Sequence, residues 1–158
     1  MSTKEPLESL SRLRALLQKL PGIGPRSAER LALFILREPR DFSAGLAQAL
    51  LDVKDKVAHC SRCFNLTEQD PCPICADPDR DPLEIWVVEQ PKDLLALEAT
   101  GLIRGTYHVL LGHIAPLEGV EAEDLTMNVL ADRVRRDSIR EVVLALNPTL
   151  DGDGTALY

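Results

Sequence analysis

The residues best suited to chemistry in this chain are its four cysteines. They fall as two Cys-x-x-Cys pairs, Cys60-Ser61-Arg62-Cys63 and, eight residues on, Cys72-Pro73-Ile74-Cys75. A Cys-x-x-Cys turn brings two thiolates to one point, and Zn²⁺ takes four such ligands in a tetrahedron with Zn–S of about 2.3 Å. Four protein ligands leave no position for water, so the expected site is structural. Two disulfides would need an oxidising compartment. A redox Cys-x-x-Cys would open a helix after a strand, whereas Pro71 and Pro73 flank the second pair. An iron–sulfur cluster also takes four thiolates and stays open as an alternative. His59 adjoins Cys60 and, beside a full set of cysteines, reads as a helix-end residue.

Two other groupings carry chemical potential. Gly22 and Gly24, in Pro21-Gly22-Ile23-Gly24-Pro25, let backbone N–H groups approach an anion, and a helix start adds unpaired N–H groups and partial positive charge. Arg26 and Arg30 stand one turn apart just beyond, where both can reach phosphates. The alternative use of such a hairpin is packing or dimerisation. The second grouping is acidic: Glu89, with Asp151 and Asp153 in Asp151-Gly152-Asp153-Gly154. Carboxylates at neighbouring strand ends can bind Mg²⁺ and through it phosphates; the plainer reading is acidic residues at the start of a helix.

The elements that position these residues follow from periodicity. Leu7, Leu10, Leu13, Leu16, Leu17 and Leu20 recur at three and four and predict a helix over 5–20. Pro21 breaks it, and a second helix runs over 25–37 with Pro25 in its first turn. Ser43 is the expected N-cap of a third, to about residue 58. A polar, proline-bounded linker at 77–82 follows the cysteines. Then come a strand at 85–88, a helix from Pro91 stopped by Gly101, a strand at 107–111, a helix at 121–137 and a strand at 141–146. The basic Arg133, Arg135 and Arg136 suit the negative end of that helix. Strands alternating with helices predict a parallel sheet, with ligands gathering at the strand ends.

The 158 residues carry a net charge of −7, unevenly spread. Residues 1–59 hold 10 Lys/Arg against 7 Asp/Glu, and the remainder 8 against 18. Phosphate contact needs cationic side chains, so DNA binding is expected of the N-terminal third, strengthened by several subunits or a partner. No apolar run reaches the ~20 residues of a membrane span, and residues 1–6 hold no apolar leader. The expected location is the cytoplasm, with no membrane partner.

The order of motifs resembles the RecR family of bacterial recombination mediators. The shared series is Leu20-Pro-Gly-Ile-Gly-Pro-Arg-Ser-Ala28, the four cysteines, Val87-Val-Glu-Gln-Pro91, Gly112-His-Ile-Ala-Pro-Leu-Glu-Gly119 and Asn147-Pro-Thr149, over nearly the whole chain. The resemblance implies an α+β multi-module fold: a helix-hairpin-helix DNA-binding and dimerisation region (1–58), a four-cysteine zinc finger with its linker (59–82) and an α/β Toprim domain with a parallel sheet (83–158), incomplete here. It implies DNA-repair mediation without catalysis, with RecO and RecF as partners in loading RecA at single-stranded gaps. It also implies assembly as dimers or a ring of four. By position Cys60, Cys63, Cys72 and Cys75 hold Zn²⁺, Gly22, Gly24, Arg26 and Arg30 contact DNA, and Glu89, Asp151 and Asp153 match the acidic Toprim positions. The chain departs from its relatives at Ala115 and Glu118, where Ser and Asp are usual. It departs again at Asp151-Gly-Asp153, where Glu-x-Glu is frequent, and in stopping at Tyr158, where relatives continue into a C-terminal region that helps close the ring. The Asp-x-Asp form is closer to Toprim enzymes and motivates the competing expectation of a Mg²⁺-dependent nuclease or primase-type activity.

Overall fold

The structure is a computed structural model that describes residues 7–158. The first two residues of the helix expected over 5–20 lie outside that range. The chain divides between Asp55 and Lys56 into two compact units.

The first unit is helical. Helix α1 (Glu8–Leu17) and helix α2 (Pro25–Arg37) are joined by a turn in which Gly22 has φ +78°, a left-handed conformation that favours glycine. Helix α3 (Arg40–Lys56) starts three residues before the expected Ser43 cap, because the chain resumes helical geometry directly after Pro39. The break between α2 and α3 is at Glu38, which is extended, as the residue before a proline tends to be. Ala28 and Ala32 of α2 are buried, and Phe34 and Phe42 meet edge to face at 5.8 Å. Large apolar side chains on this unit remain open to solvent, among them Leu16, Leu36, Leu50 and Val53, each more than half exposed.

The second unit is built on a three-stranded parallel sheet. A short antiparallel pair, β1 (Ala58–His59) and β2 (Leu66–Thr67), precedes the single-turn helix α4 (Pro73–Ala76). Strand β3 (Asp81–Val88) then runs between β4 (Gly105–Val109) and β5 (Glu141–Leu144), parallel to both. Part of the stretch read as a linker is thus sheet: Asp81 pairs with Gly105. Helix α5 (Pro91–Glu98) is opened by reciprocal capping between Gln90 and Asp93 and ends before Gly101, φ +66°. The helix expected over 121–137 is two pieces, a 3₁₀ turn at Ala122–Asp124 and helix α6 (Met127–Arg136). Helix α7 (Leu150–Leu157) closes the described chain.

Alternation along the strands separates two cores. Val88, Tyr107 and Val109 face one side, packing with Leu94 of α5, Phe64 and Ile74. Ile85 and Val87 face the other and pack with Leu110, Met127, Leu130 and Ile139. The cysteine segment therefore belongs to the sheet's own core: Phe64 and Ile74 flank its cysteines.

Where α7 meets the strand ends, one residue decides the fit. A Cβ at Gly152 would lie 2.1 Å from the Asn147 carbonyl oxygen and 3.0 Å from Glu89 Oε1, whereas a Cβ at Gly154 would meet nothing within 4 Å. Gly152→Ala is expected to destabilise the unit by about 1–3 kcal/mol through overpacking. Gly154→Ala, in the same helix, is expected to stabilise it by about 0.5–1 kcal/mol through helix propensity. Urea unfolding of both variants checks the pair.

Candidate metal centre and nucleic-acid interface

Cys60 and Cys63 flank a tight turn that follows β1. Phe64 holds it closed with φ +62°, its N–H donating to the Cys60 carbonyl at 3.0 Å, while Cys60 N–H donates to Asn65 O at 2.8 Å. Cys72 is the N-cap of α4, with Pro73 at the first helical position, and its sulfur accepts from the Cys75 N–H at 3.5 Å. The Cys72 N–H donates to Cys60 Sγ at 3.3 Å. All four cysteines are buried, none is in a disulfide, and their sulfurs lie within 4.8 Å of one another. A tetrahedron with Zn–S near 2.3 Å has sulfur–sulfur edges of about 3.8 Å, so the cage fits one zinc ion with small adjustment. His59 is exposed and its Nδ1 lies 3.0 Å from Phe64 O, away from the sulfurs.

The electrostatics of the tetrad favour a cation. Hydrogen bonding to Cys75 and burial push the Cys63 thiol far up, and burial pushes Cys72 up to about 11. Cys75, hydrogen-bonded by Cys63, is lowered to about 6. Four neighbouring sulfurs cannot all ionise unless a metal joins them.

The acidic residues are arranged differently from the expectation. Glu89 follows β3 and is buried; its Oε1 accepts from the Asn147 N–H at 2.8 Å and its Oε2 lies 3.1 Å from His113 Nδ1. Burial raises the Glu89 carboxyl, but the hydrogen bonds from Asn147 and His113 outweigh it and hold the group below its usual range. Asp151 and Asp153 are exposed in the first turn of α7, whose cap is Thr149 Oγ1 accepting from the Gly152 N–H. His113 Nε2 stands 4.0 Å from Asp151 Oδ2. Among the described residues, the cysteines form the one group of three or more ligand-type side chains close enough to share an ion. Glu89 and Asp151 instead share His113, at the margin of a cleft of about 750 Å³ that Lys92, Asn147 and Thr149 also line. Sequence reasoning gave His113 no role; its place in Gly112-His113-Ile114, just beyond β4, was the available signal.

The hairpin keeps its expected geometry. Gly24 is the N-cap of α2, extended and with no side-chain cap, and Pro25 occupies the first position. A Cβ at Gly22 or Gly24 would meet nothing within 4 Å, so the backbone there is open to a ligand. Ile23 is half-buried, its N–H bonded to Leu20 O at 3.2 Å. Arg26 and Arg30 are exposed and, among the described residues, form no ion pair.

Arg133 stands in the last turn of α6 with Arg135 and Arg136, as expected, but it is 2% exposed, a burial the sequence reading did not anticipate. Its Nη1 donates to Tyr107 O at 2.7 Å and to Arg62 O at 3.3 Å, and its Nη2 to Thr106 Oγ1 at 2.8 Å. The signal was its spacing: it lies three residues beyond Leu130 and six beyond Met127, both packed on the sheet. Tyr107 is buried with its hydroxyl donating to Glu98 Oε2 at 2.8 Å, out of reach of any attack on a nucleic acid.

Three family models match in order: the RecR helix-hairpin-helix over residues 10–54, the RecR four-cysteine zinc finger domain over 57–77 and the Toprim domain over 84–158. Similar relatives include the recombination protein RecR of Chloroflexus aggregans, 56% identical over 139 residues covering 87% of this chain and 67% of the relative. That of Rhodopirellula baltica is 52% identical over 142 residues (90% and 71%), and that of Rubrobacter xylanophilus 50% over 150 residues (95% and 75%). No helix among the described residues is long and apolar enough to cross a membrane.

Zinc uptake by this site is expected to release protons. Cys63 and Cys72 are held protonated at neutral pH without metal and must ionise to bind it. Affinity therefore rises with pH between 6 and 8, by about a hundredfold per unit, the slope that two protons released per zinc would give. Calorimetric titration of metal-free protein with zinc, in buffers of different ionisation enthalpy, measures the release directly.

Proposed function

The chain belongs to the RecR family, and from that membership we propose that it is a DNA-repair and recombination mediator. It binds DNA through its helical hairpin and, with RecO and RecF, helps load RecA at single-stranded gaps. The observation that carries the DNA contact is the hairpin itself. Two open glycines, an uncapped helix start and two exposed arginines lie within nine residues of sequence. Unpaired N–H groups and the helix dipole favour a phosphate at that point, and the arginines add charge on either side.

Zn²⁺ on Cys60, Cys63, Cys72 and Cys75 has a structural role in this reading. When bound it supplies the cross-link that holds two turns together, and the chain's own residues do the rest. The mediator has no catalysis of its own. The engagement of Glu89 by Asn147 and His113 supports a positioning role for that carboxylate. We assign Glu89, Asp151 and Asp153, with the adjoining cleft, to partner contact, with RecO as the partner the family indicates.

The exposed apolar surface of α1–α3 supports self-association. Leu36 and Leu50 are each about two-thirds exposed, and leaving several such side chains in water costs about 1.5–3 kcal/mol each relative to burial. A second copy of the chain is the occupant we assign to this surface.

Two experiments test the reading. An Arg26→Glu, Arg30→Glu double variant is expected to weaken DNA binding by about tenfold or more and to reduce the salt slope by about two contacts, read by fluorescence anisotropy across a salt series. Unchanged affinity would leave the hairpin a packing and dimerisation element. Sedimentation of the parent is expected to give a mass above one chain, with Leu36→Lys, Leu50→Lys shifting it toward monomer; a monomeric parent contradicts the assignment.

A further inference from the structure

The free edge of β4 is closed by an unusual pair of groups. Along this strand the Leu110 N–H turns inward to Val88 O at 2.9 Å, while the Val109 N–H turns outward to Cys63 O at 2.8 Å. The neighbouring outward carbonyl, Tyr107 O, is taken by Arg133 at 2.7 Å. Arg133 also reaches Arg62 O, inside the first Cys-x-x-Cys turn. One guanidinium thus ties α6, the sheet edge and the metal-binding turn together across 71 residues of sequence.

Its charge has one carboxylate nearby, and that is shared. Asp137 Oδ2 stands 3.9 Å from Arg133 Nε, an ion pair without a hydrogen bond, and Asp137 is also paired more closely with Arg136 at 2.8 Å. Nε has no hydrogen-bond partner in this buried position. The Arg62 guanidinium, held by Cys75 O at 3.2 Å, faces the same region and adds like charge. A buried cation in such company needs an anion. The sulfur cage is the anion at hand, because Zn²⁺ with four thiolates carries two negative charges in excess. Burial works against the guanidinium charge, and attraction to Cys75 and Cys63 works for it.

We propose that Arg133 is a positioning residue for the zinc site: it docks the Cys60–Cys63 turn on the free edge of β4 and supplies the buried positive charge that offsets the excess negative charge of the zinc tetrathiolate. The consequence is mutual. The metal makes burial of Arg133 favourable, and Arg133 makes retention of the metal favourable. The proposal rests on the four-cysteine zinc reading, and the test separates the two.

The test compares Arg133→Gln, which removes the charge, with Arg133→Lys, which keeps it. Zinc content of the parent is measured first, and a parent that holds no zinc overturns both readings. With a zinc-loaded parent, competition against a chelator of known affinity is expected to show zinc binding weakened about 10–100-fold in Arg133→Gln, the range for loss of a residue supporting metal ligands. Arg133→Lys is expected to recover most of that loss. Parent-like zinc affinity in Arg133→Gln overturns the proposal, as does an equal loss in both variants, which would assign Arg133 to packing alone. If Arg133→Gln yields no folded protein, Arg133→Lys decides. A folded, zinc-loaded Lys variant supports the charge role, and one that also fails to fold contradicts it.

Discussion

The second unit depends on how the open edge of a three-stranded sheet is closed. Strand β4 has β3 on one side only, and a free parallel edge leaves N–H and C=O groups in need of partners. Here those partners are the carbonyl of a cysteine and the side chain of a buried arginine. The metal-binding turn is therefore a wall of the sheet's core: its Phe64 and Ile74 pack against Val88, Tyr107 and Val109. The thiolate cage fixes the turn, the turn closes the edge, and the edge positions the strand ends where Glu89 and His113 meet.

The same unit shows how charge is managed in a small core. Acidic groups outnumber basic ones in this part of the chain, yet the buried and part-buried ionisable side chains are individually engaged. Glu89 is held by a backbone N–H and a histidine. Glu98 is shared by Arg80 and the Tyr107 hydroxyl. His108, pushed down to about 4 chiefly by burial, is neutral and bonded to Thr126. In the helical unit, Arg26 and Arg30 face solvent and form no ion pair among the described residues. That arrangement suits the proposed contact of the hairpin with DNA.

Much of this was legible in the chain. The cysteine spacing led directly to the cage, since two Cys-x-x-Cys turns have few other uses. Pro21-Gly-Ile-Gly-Pro25 led to the hairpin because glycine and proline constrain the backbone locally. The parallel sheet followed from alternating strands and helices. The illegible features were all long-range. The spacing of Arg133 from Leu130 is the one local hint that separates it from Arg135 and Arg136; the packing of α6 on the sheet makes it a buried link and leaves the others outside. The acidic residues read as a metal triplet are separated because Asp151 and Asp153 start a helix whose close approach needs Gly152. The stretch at 77–82 looked like a linker from its prolines, yet Asp81 accepts a place in β3 through pairing with a residue 24 positions away.

The central claim is that the thiolate cage and the sheet are one cooperative unit. Trp86, the single tryptophan, lies outside the cysteine segment and packs against the sheet core that Phe64 and Ile74 also line, so its fluorescence reports on the packing of that core. Following that signal while zinc is withdrawn by a chelator is the most direct measurement. Loss of the native Trp86 signal in step with metal release is the predicted result. Zinc leaving while Trp86 and its unfolding midpoint stay unchanged would contradict the account.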